Sequence, residues 1–155
     1  MTEKKAREPR EKPAKVVLHR LAGTKKALDA CRLVERLYQA GKRVTVLLSD
    51  SGRAAMFDEY LWTYAQHSFV PHALWDGRSD VEDPVVVITG TLANPNAATV
   101  LVIGDRIADP RDAAAFPEVH DFITAAPEDE GKQKAWEDAG FKVEETRGVA
   151  GRASD

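Results

Sequence analysis

Residues 84–89 read PVVVIT and residues 99–104 read TVLVIG. Each is a short run of aliphatic, mostly β-branched side chains without polar alternation. A strand wet on one side alternates; a strand covered on both faces does not. Two such runs predict parallel strands, and parallel strands need crossover connections packed on the faces of the sheet.

The flanking sequence supplies the crossovers. Upstream, RVTVLL (43–48) is another apolar, β-branched run, and KVVLHRL (15–21) is a first strand. Between them, TKKALDACRLVERLYQAGK (24–42) carries Ala27, Ala30, Cys31, Val34, Leu37 and Tyr38 at spacings of three and four. That is one face of a helix. Thr24 suits its N-cap and Gly41 its end. Asp50 or Ser51 suits the cap of a second helix through RAAMFDEYLWTY (53–64). Downstream, DPRDAAAF (109–116) predicts a helical turn and VHDFITA (119–125) a fifth strand. PEDEGKQKAWEDAG (127–140) predicts a last helix, acidic at its start and closed by Gly140. FKVEETR (141–147) alternates with period two, as an edge strand does. The expected architecture is one three-layer α/β domain, Rossmann-like, with a mostly parallel sheet and helices on both faces.

The chain has 155 residues, 43% hydrophobic and 30% charged, which suits a single globular domain. The domain is expected over 14–147. Residues 1–13 are almost all charged or proline and are expected to be disordered; 148–155 are expected to form a flexible tail. A net charge of −3 provides no basic field for strong nucleic-acid binding. No apolar run approaches the length of a membrane span, and the first residues lack the apolar segment of a secretory signal. The single cysteine, Cys31, lies on the helix face, reads as a core residue and suits a reducing cytoplasm.

The chemistry motifs are few. There is no GxGxxG, no GxxxxGK[ST] and no GxSxG. His19, His67, His72 and His120 do not fall at metal-binding spacings, so neither metal nor cofactor is expected. Asp50, Asp58 and Glu59 follow the second strand, where an acidic group could meet a ribose or cap a helix. LAGTKK (21–26) places glycine, threonine and two lysines at a helix start, where an anion can sit. A small nucleotide- or phosphate-binding enzyme is therefore one alternative. The lack of an acid–base constellation favours a binding module.

Residues 58–77, DEYLWTYAQHSFVPHALWDG, concentrate aromatic side chains and continue them past the expected helix into a segment without a period. Asp58, Glu59, Leu61 and Trp62, followed by Ser68, Phe69, Val70, Pro71, His72 and Leu74, resemble a pattern of the chi subunit of bacterial DNA polymerase III. AGKRVTVLLSD (40–50), PEVHDFI (117–123) and AWEDAGFKV (135–143) resemble further segments of that family, in the same order. The resemblance spans roughly residues 15 to 146. It implies a parallel α/β fold and a non-catalytic accessory subunit without cofactor. Its implied partners are psi, which ties it to the clamp loader, and the acidic C-terminal tail of single-stranded DNA-binding protein. A repair helicase in place of psi is a variant of the same role.

By this resemblance Trp62, Phe69 and Pro71 form the partner surface; the alternative is that Trp62 and Phe69 fill the core beneath the loop. The tail site is expected at the last helix, from Ile123, Lys132, Lys134 and Trp136. An arginine typical of that site has no match here, and Lys142 and Arg147 are substitutes. Trp75 has no counterpart in the pattern.

Overall fold

The computed structural model describes residues 14–23, 26–64 and 69–149. The elements run β1 (Lys15–Arg20), α1 (Lys26–Gln39), β2 (Val44–Leu48), α2 (Ser51–Tyr64), β3 (His72–Leu74), β4 (Val85–Thr89), β5 (Val100–Ile103), a 3-10 helix (Pro110–Ala115), β6 (Glu118–Ile123), a 3-10 turn (Pro127–Asp129), α3 (Lys132–Asp138) and β7 (Lys142–Arg147). The seven strands form one sheet in the order β3-β4-β2-β5-β6-β1-β7. Every neighbouring pair is parallel.

The runs that decided the fold sit in the middle of the sheet. All five residues of β2, all four of β5 and Val85–Ile88 of β4 are buried. On one face, α1 and α2 press Ala30, Cys31, Val34, Leu37, Phe57 and Leu61 against alternate strand residues such as Val46, Val87 and Val102. On the other face, Phe116, Trp136 and Phe141 cover Leu18, Leu101 and Val119. Both layers are required because every central strand has two apolar faces.

Local signals explain most boundaries. Gly41, at φ 84°, ends α1, with Lys42 N–H donating to Leu37 O. At the second helix the cap is Asp50, whose Oδ1 accepts from Arg53 N–H at 2.8 Å. Thr24 lies outside the described residues.

Three features differ from the sequence expectation. His72–Leu74, assigned to an aromatic loop, is a short edge strand paired with β4. The last helix does not start at Pro127: Gly131 adopts a left-handed φ of 79° and splits the segment, leaving α3 only seven residues. Gly148 and Val149, assigned to a flexible tail, are packed; Gly148 N–H donates to Arg20 O and Val149 is buried in the core.

Candidate functional site

At the β3 end of the sheet, apolar side chains remain uncovered. Along α2, residues Ala54, Phe57 and Leu61 face the sheet, and Tyr64 packs toward Glu35 and Arg32 of α1. Helical spacing puts Trp62 on the opposite flank, above the sheet edge. There Trp62 is 53% exposed and Phe69 63% exposed. Their rings meet at 5.6 Å, and Trp62 also tilts against the His72 ring at 4.6 Å. Leu74 is exposed beside them, and Pro71 is half-buried. Neither Trp62 nor Phe69 fills the core beneath the loop.

The support under these rings is polar, with His72 buried and Asp58 partly exposed. His72 Nδ1–H donates to Val70 O at 2.7 Å, and its Nε2 faces Asp58 Oδ1 at 3.1 Å, out of line for a hydrogen bond. Val70 itself is buried in the core. The segment entering β3 is thus held from beneath while its aromatic residues face outward. His67 and Ser68 lie outside the described residues.

The last helix is arranged differently. Trp136 is 1% exposed, stacked edge-on against Phe141, and its Nε1–H donates to Asp121 Oδ2 at 2.9 Å. Ile123 is buried in the same cluster. Lys132 is turned inward: its Nζ donates to Phe122 O at 2.7 Å and lies 3.0 Å from Asp129 and 3.4 Å from Asp121. Burial pushes the Asp121 carboxyl up from its ordinary value, against the pull of Lys132. Burial also pushes on Asp129, but the Thr124 hydroxyl and backbone N–H and then Lys132 outweigh it and bring its pKa down to about 2. Of the four residues expected to hold an acidic tail, only Lys134 is open, its side chain 80% exposed beside Asp138. Ile123, Lys132 and Trp136 do not form an open slot. The partners that enclose them, Asp121 and Phe141 above all, come from other elements, which helix spacing does not show.

The carboxyl ends of the strands, where α/β folds bind ligands, hold the chain's own carboxylates. Asp129 sits between β6 and the start of α1, accepting from Thr124 N–H and paired with Lys26 at 3.4 Å. Asp105 accepts from Ser49 N–H beyond β2 and lies 3.5 Å from Arg53 of α2. A surface depression of about 430 Å³ at the ends of β3 and β4 is lined by Trp75, Asp76, Gly77, Thr89, Thr91 and Ala93, with no basic side chain. Trp75 packs against the core and donates from Nε1 to Ser79 O, a structural position. Cys31 is fully buried, which pushes its thiol up to about 12. Among the described residues no cluster of histidine, cysteine and carboxylate side chains is placed to hold a metal, and no helix is long and apolar enough to cross a membrane.

Fold and surface together define a Rossmann-like α/β protein whose uncovered aromatic side chains lie along one edge of its sheet. Residues 14–144 match the family described as DNA polymerase III chi subunit, HolC, and the chain belongs to this family of DNA replication proteins. It is 32% identical over 119 residues to the DNA polymerase III subunit chi of Escherichia coli, covering 73% of this chain and 79% of that protein. It is 34% identical over 92 residues to a probable subunit chi of Rickettsia prowazekii, covering 59% of this chain and about half, 53%, of the relative. The Pseudomonas aeruginosa subunit chi is 28% identical over 98 residues, 63% of this chain and 66% of that one. Two solved structures share the fold alone. Saccharomyces cerevisiae Dbp5 L327V bound to RNA and ADP BeF3 superposes with TM-score 0.61 at 9% identity, over 86% of this chain and 41% of that one. T4 UvsW superposes with TM-score 0.55 at 8% identity, over 87% and 41%.

Proposed function

We propose that the chain is a non-catalytic accessory subunit of the replicative polymerase III holoenzyme in the cytoplasm, bridging the clamp loader, through psi, to the acidic C-terminal tail of single-stranded DNA-binding protein. One observation carries the psi contact: Trp62 and Phe69 are exposed, touch each other and border half-buried Pro71. Exposed aromatics on a rigid base are the side chains that dominate association energies. The mechanism is tethering: each modest contact raises the local concentration for the next, so avidity accumulates without a chemical step.

For the acidic tail, Lys134 is the contact that needs no rearrangement, while Ile123 and Trp136 are buried in the core and Lys132 is committed to its internal carboxylates. Lys142 and Arg147 on β7 are further exposed cations at the same end of the sheet. Against a nucleotide-binding enzyme, the cations at the starts of α1 and α2, Lys26 and Arg53, already face the carboxylates of Asp129 and Asp105. Among the described residues, the depression beside Trp75 has no cation to greet an anion.

The test is titration of purified psi and, separately, of a peptide with an acidic stretch and a terminal phenylalanine carboxylate. Phe69→Ala is expected to weaken psi binding by more than tenfold, the effect of losing a hot spot of about 2 kcal/mol. Peptide binding is expected to fall with salt and in Lys134→Ala. A thermal shift with nucleotides, and none with psi or peptide, would instead favour a nucleotide-binding enzyme.

A further inference from the structure

The two borders of the sheet are unlike. β7 carries Lys142, Glu144, Glu145 and Arg147, all exposed, and no exposed large apolar residue. Charges along an open edge oppose pairing with another strand. β3 is the other border, and among the described residues nothing pairs with its outer side. Trp75 N–H donates to Val87 O at 2.9 Å, so Ala73 and Trp75 turn their backbone groups toward β4. By the alternation of a parallel ladder, His72 and Leu74 turn theirs outward. His72 and Leu74 also share a face, the one under α2, because the His72 ring meets Trp62 at 4.6 Å. A strand added beside β3 would place every second side chain on that face, against Leu74, Trp62 and Phe69. Backbone groups and apolar surface are thus presented together.

The charge around this edge is one-sided. Between Arg53 and Arg78 the sequence contains no lysine or arginine, and Asp58, Glu59 and Asp76 all fall in that interval. Asp58 is partly exposed and Glu59 exposed, and each lies about one helical turn before Trp62 on α2.

We propose that the partner docks on β3 by strand addition, through an extended segment with apolar side chains at alternate positions and lysine or arginine next to them. The proposal rests on the reading of the Trp62–Phe69 surface as the psi contact and specifies how that contact is made. Main-chain hydrogen bonds to His72 and Leu74 supply the docking register, and the aromatic pair supplies the anchor.

The decisive pair of variants is Leu74→Pro and Leu74→Ala, titrated with full-length psi. Both remove the leucine side chain, but only proline removes the outward N–H, and an edge strand tolerates proline where its N–H faces out. Leu74→Pro is expected to bind about tenfold more weakly than Leu74→Ala, the effect of a main-chain bond lost at a desolvated position. Hydrogen exchange on the unaltered chain is the companion measurement. Psi is expected to slow the Leu74 amide and leave the outward amides of β7, at Val143 and Glu145, unchanged. If the two variants bind equally and the Leu74 amide stays unprotected while Phe69→Ala still abolishes binding, strand addition is wrong and the psi contact stands. If the unaltered chain does not bind psi, both are wrong. Should Leu74→Pro fail to fold, the exchange result decides alone.

Discussion

Two tryptophans stand toward opposite ends of one sheet, each packed with a phenylalanine and close to an aspartate. Trp62 lies near the β3 edge with Phe69, and Asp58 sits across His72 from it. Trp136 lies over β6 and β1 with Phe141 and Asp121. The ingredients are alike and the outcomes opposite. The indole of Trp136 gives its N–H to a buried carboxylate, and Lys132 balances that carboxylate and a second one. Polar groups inside a core are tolerated when all are paired, and here they close over the ring. Beneath Trp62 the polar pair is His72 and Asp58, which supports the ring from below and leaves its outer face to solvent. Apolar area left uncovered on a rigid base is available for association.

If this contrast is right, the largest loss of stability comes at Trp136. Trp136→Ala opens a cavity in the second core cluster and strips Asp121 of a donor. An expected destabilisation of about 3–5 kcal/mol, or failure to fold, is read from urea unfolding. A loss below 1 kcal/mol would mean that Trp136 is not core and could line an open slot.

Next is Lys132. Removing its ammonium leaves Asp121 and Asp129 facing each other without the charge that joins them. Lys132→Ala is expected to lower stability by about 3 kcal/mol, in the range for breaking a buried pair. The Asp129 contribution carries a pH signature. With its pKa brought down to about 2, that stability is present above the ordinary carboxylate range and is lost as pH falls through about 2. An equal melting temperature for Lys132→Ala would free the lysine for an acidic tail.

The third effect lies in β1, next to the β7 border of the sheet. His19 is buried in β1; its Nδ1–H donates to Gly148 O at 3.1 Å and its Nε2 shares a hydrogen bond with His120 Nδ1 at 2.8 Å. His120 Nε2 in turn meets Glu118 at 2.6 Å, and Lys42 lies 3.9 Å from the same carboxylate. Burial and then His120 lower the His19 pKa to about 4. A folded-state value below the ordinary one means that the unfolded chain binds the proton first. The stability is complete above about pH 6.5 and declines as pH falls toward 4, by about 2 kcal/mol at pH 5. His19→Gln is expected to flatten that slope in denaturation curves at pH 8, 6 and 5, and an unchanged slope would move the titration to another group.

How much of this contrast could be read from the sequence depends on how local its causes are. PVVVIT and TVLVIG announced the buried strands because a strand covered on both faces leaves its mark in its own residues. The stripe through Ala30, Val34 and Leu37 announced α1 for the same reason. β3 was hidden: His72-Ala73-Leu74 is three residues long, has no β-branched side chain and follows a proline. Gly131 was a visible sign that the last helix breaks, and the acidic run before it masked that sign. Trp62 was legible as a functional candidate because its pattern is contiguous with Phe69 and Pro71. The closure of Trp136 and Lys132 was not, because Asp121, more than ten residues upstream on β6, decides both.

The smallest effect on stability, and the sharpest test of the contrast, is at Trp62. Its ring covers Phe69 and His72 but inserts into nothing, so Trp62→Ala removes contacts on one side only. Surface truncations of this kind change stability by about 1 kcal/mol or less. The expected result is a melting temperature within a few degrees of the unaltered chain, with psi affinity reduced at least tenfold, since losing a central aromatic anchor costs about 2 kcal/mol or more. Trp136→Ala should show the reverse order of sensitivity, losing the fold before binding can be measured. His72 separates support from contact. His72→Asn keeps a donor near the place of Nδ1 for Val70 O but removes the ring under Trp62, and it should weaken psi binding less than Trp62→Ala while lowering the melting temperature more. If Trp62→Ala instead destabilises the chain as much as Trp136→Ala does, the exposed ring is part of the core after all, and the two ends of the sheet are not the different environments that their geometry describes.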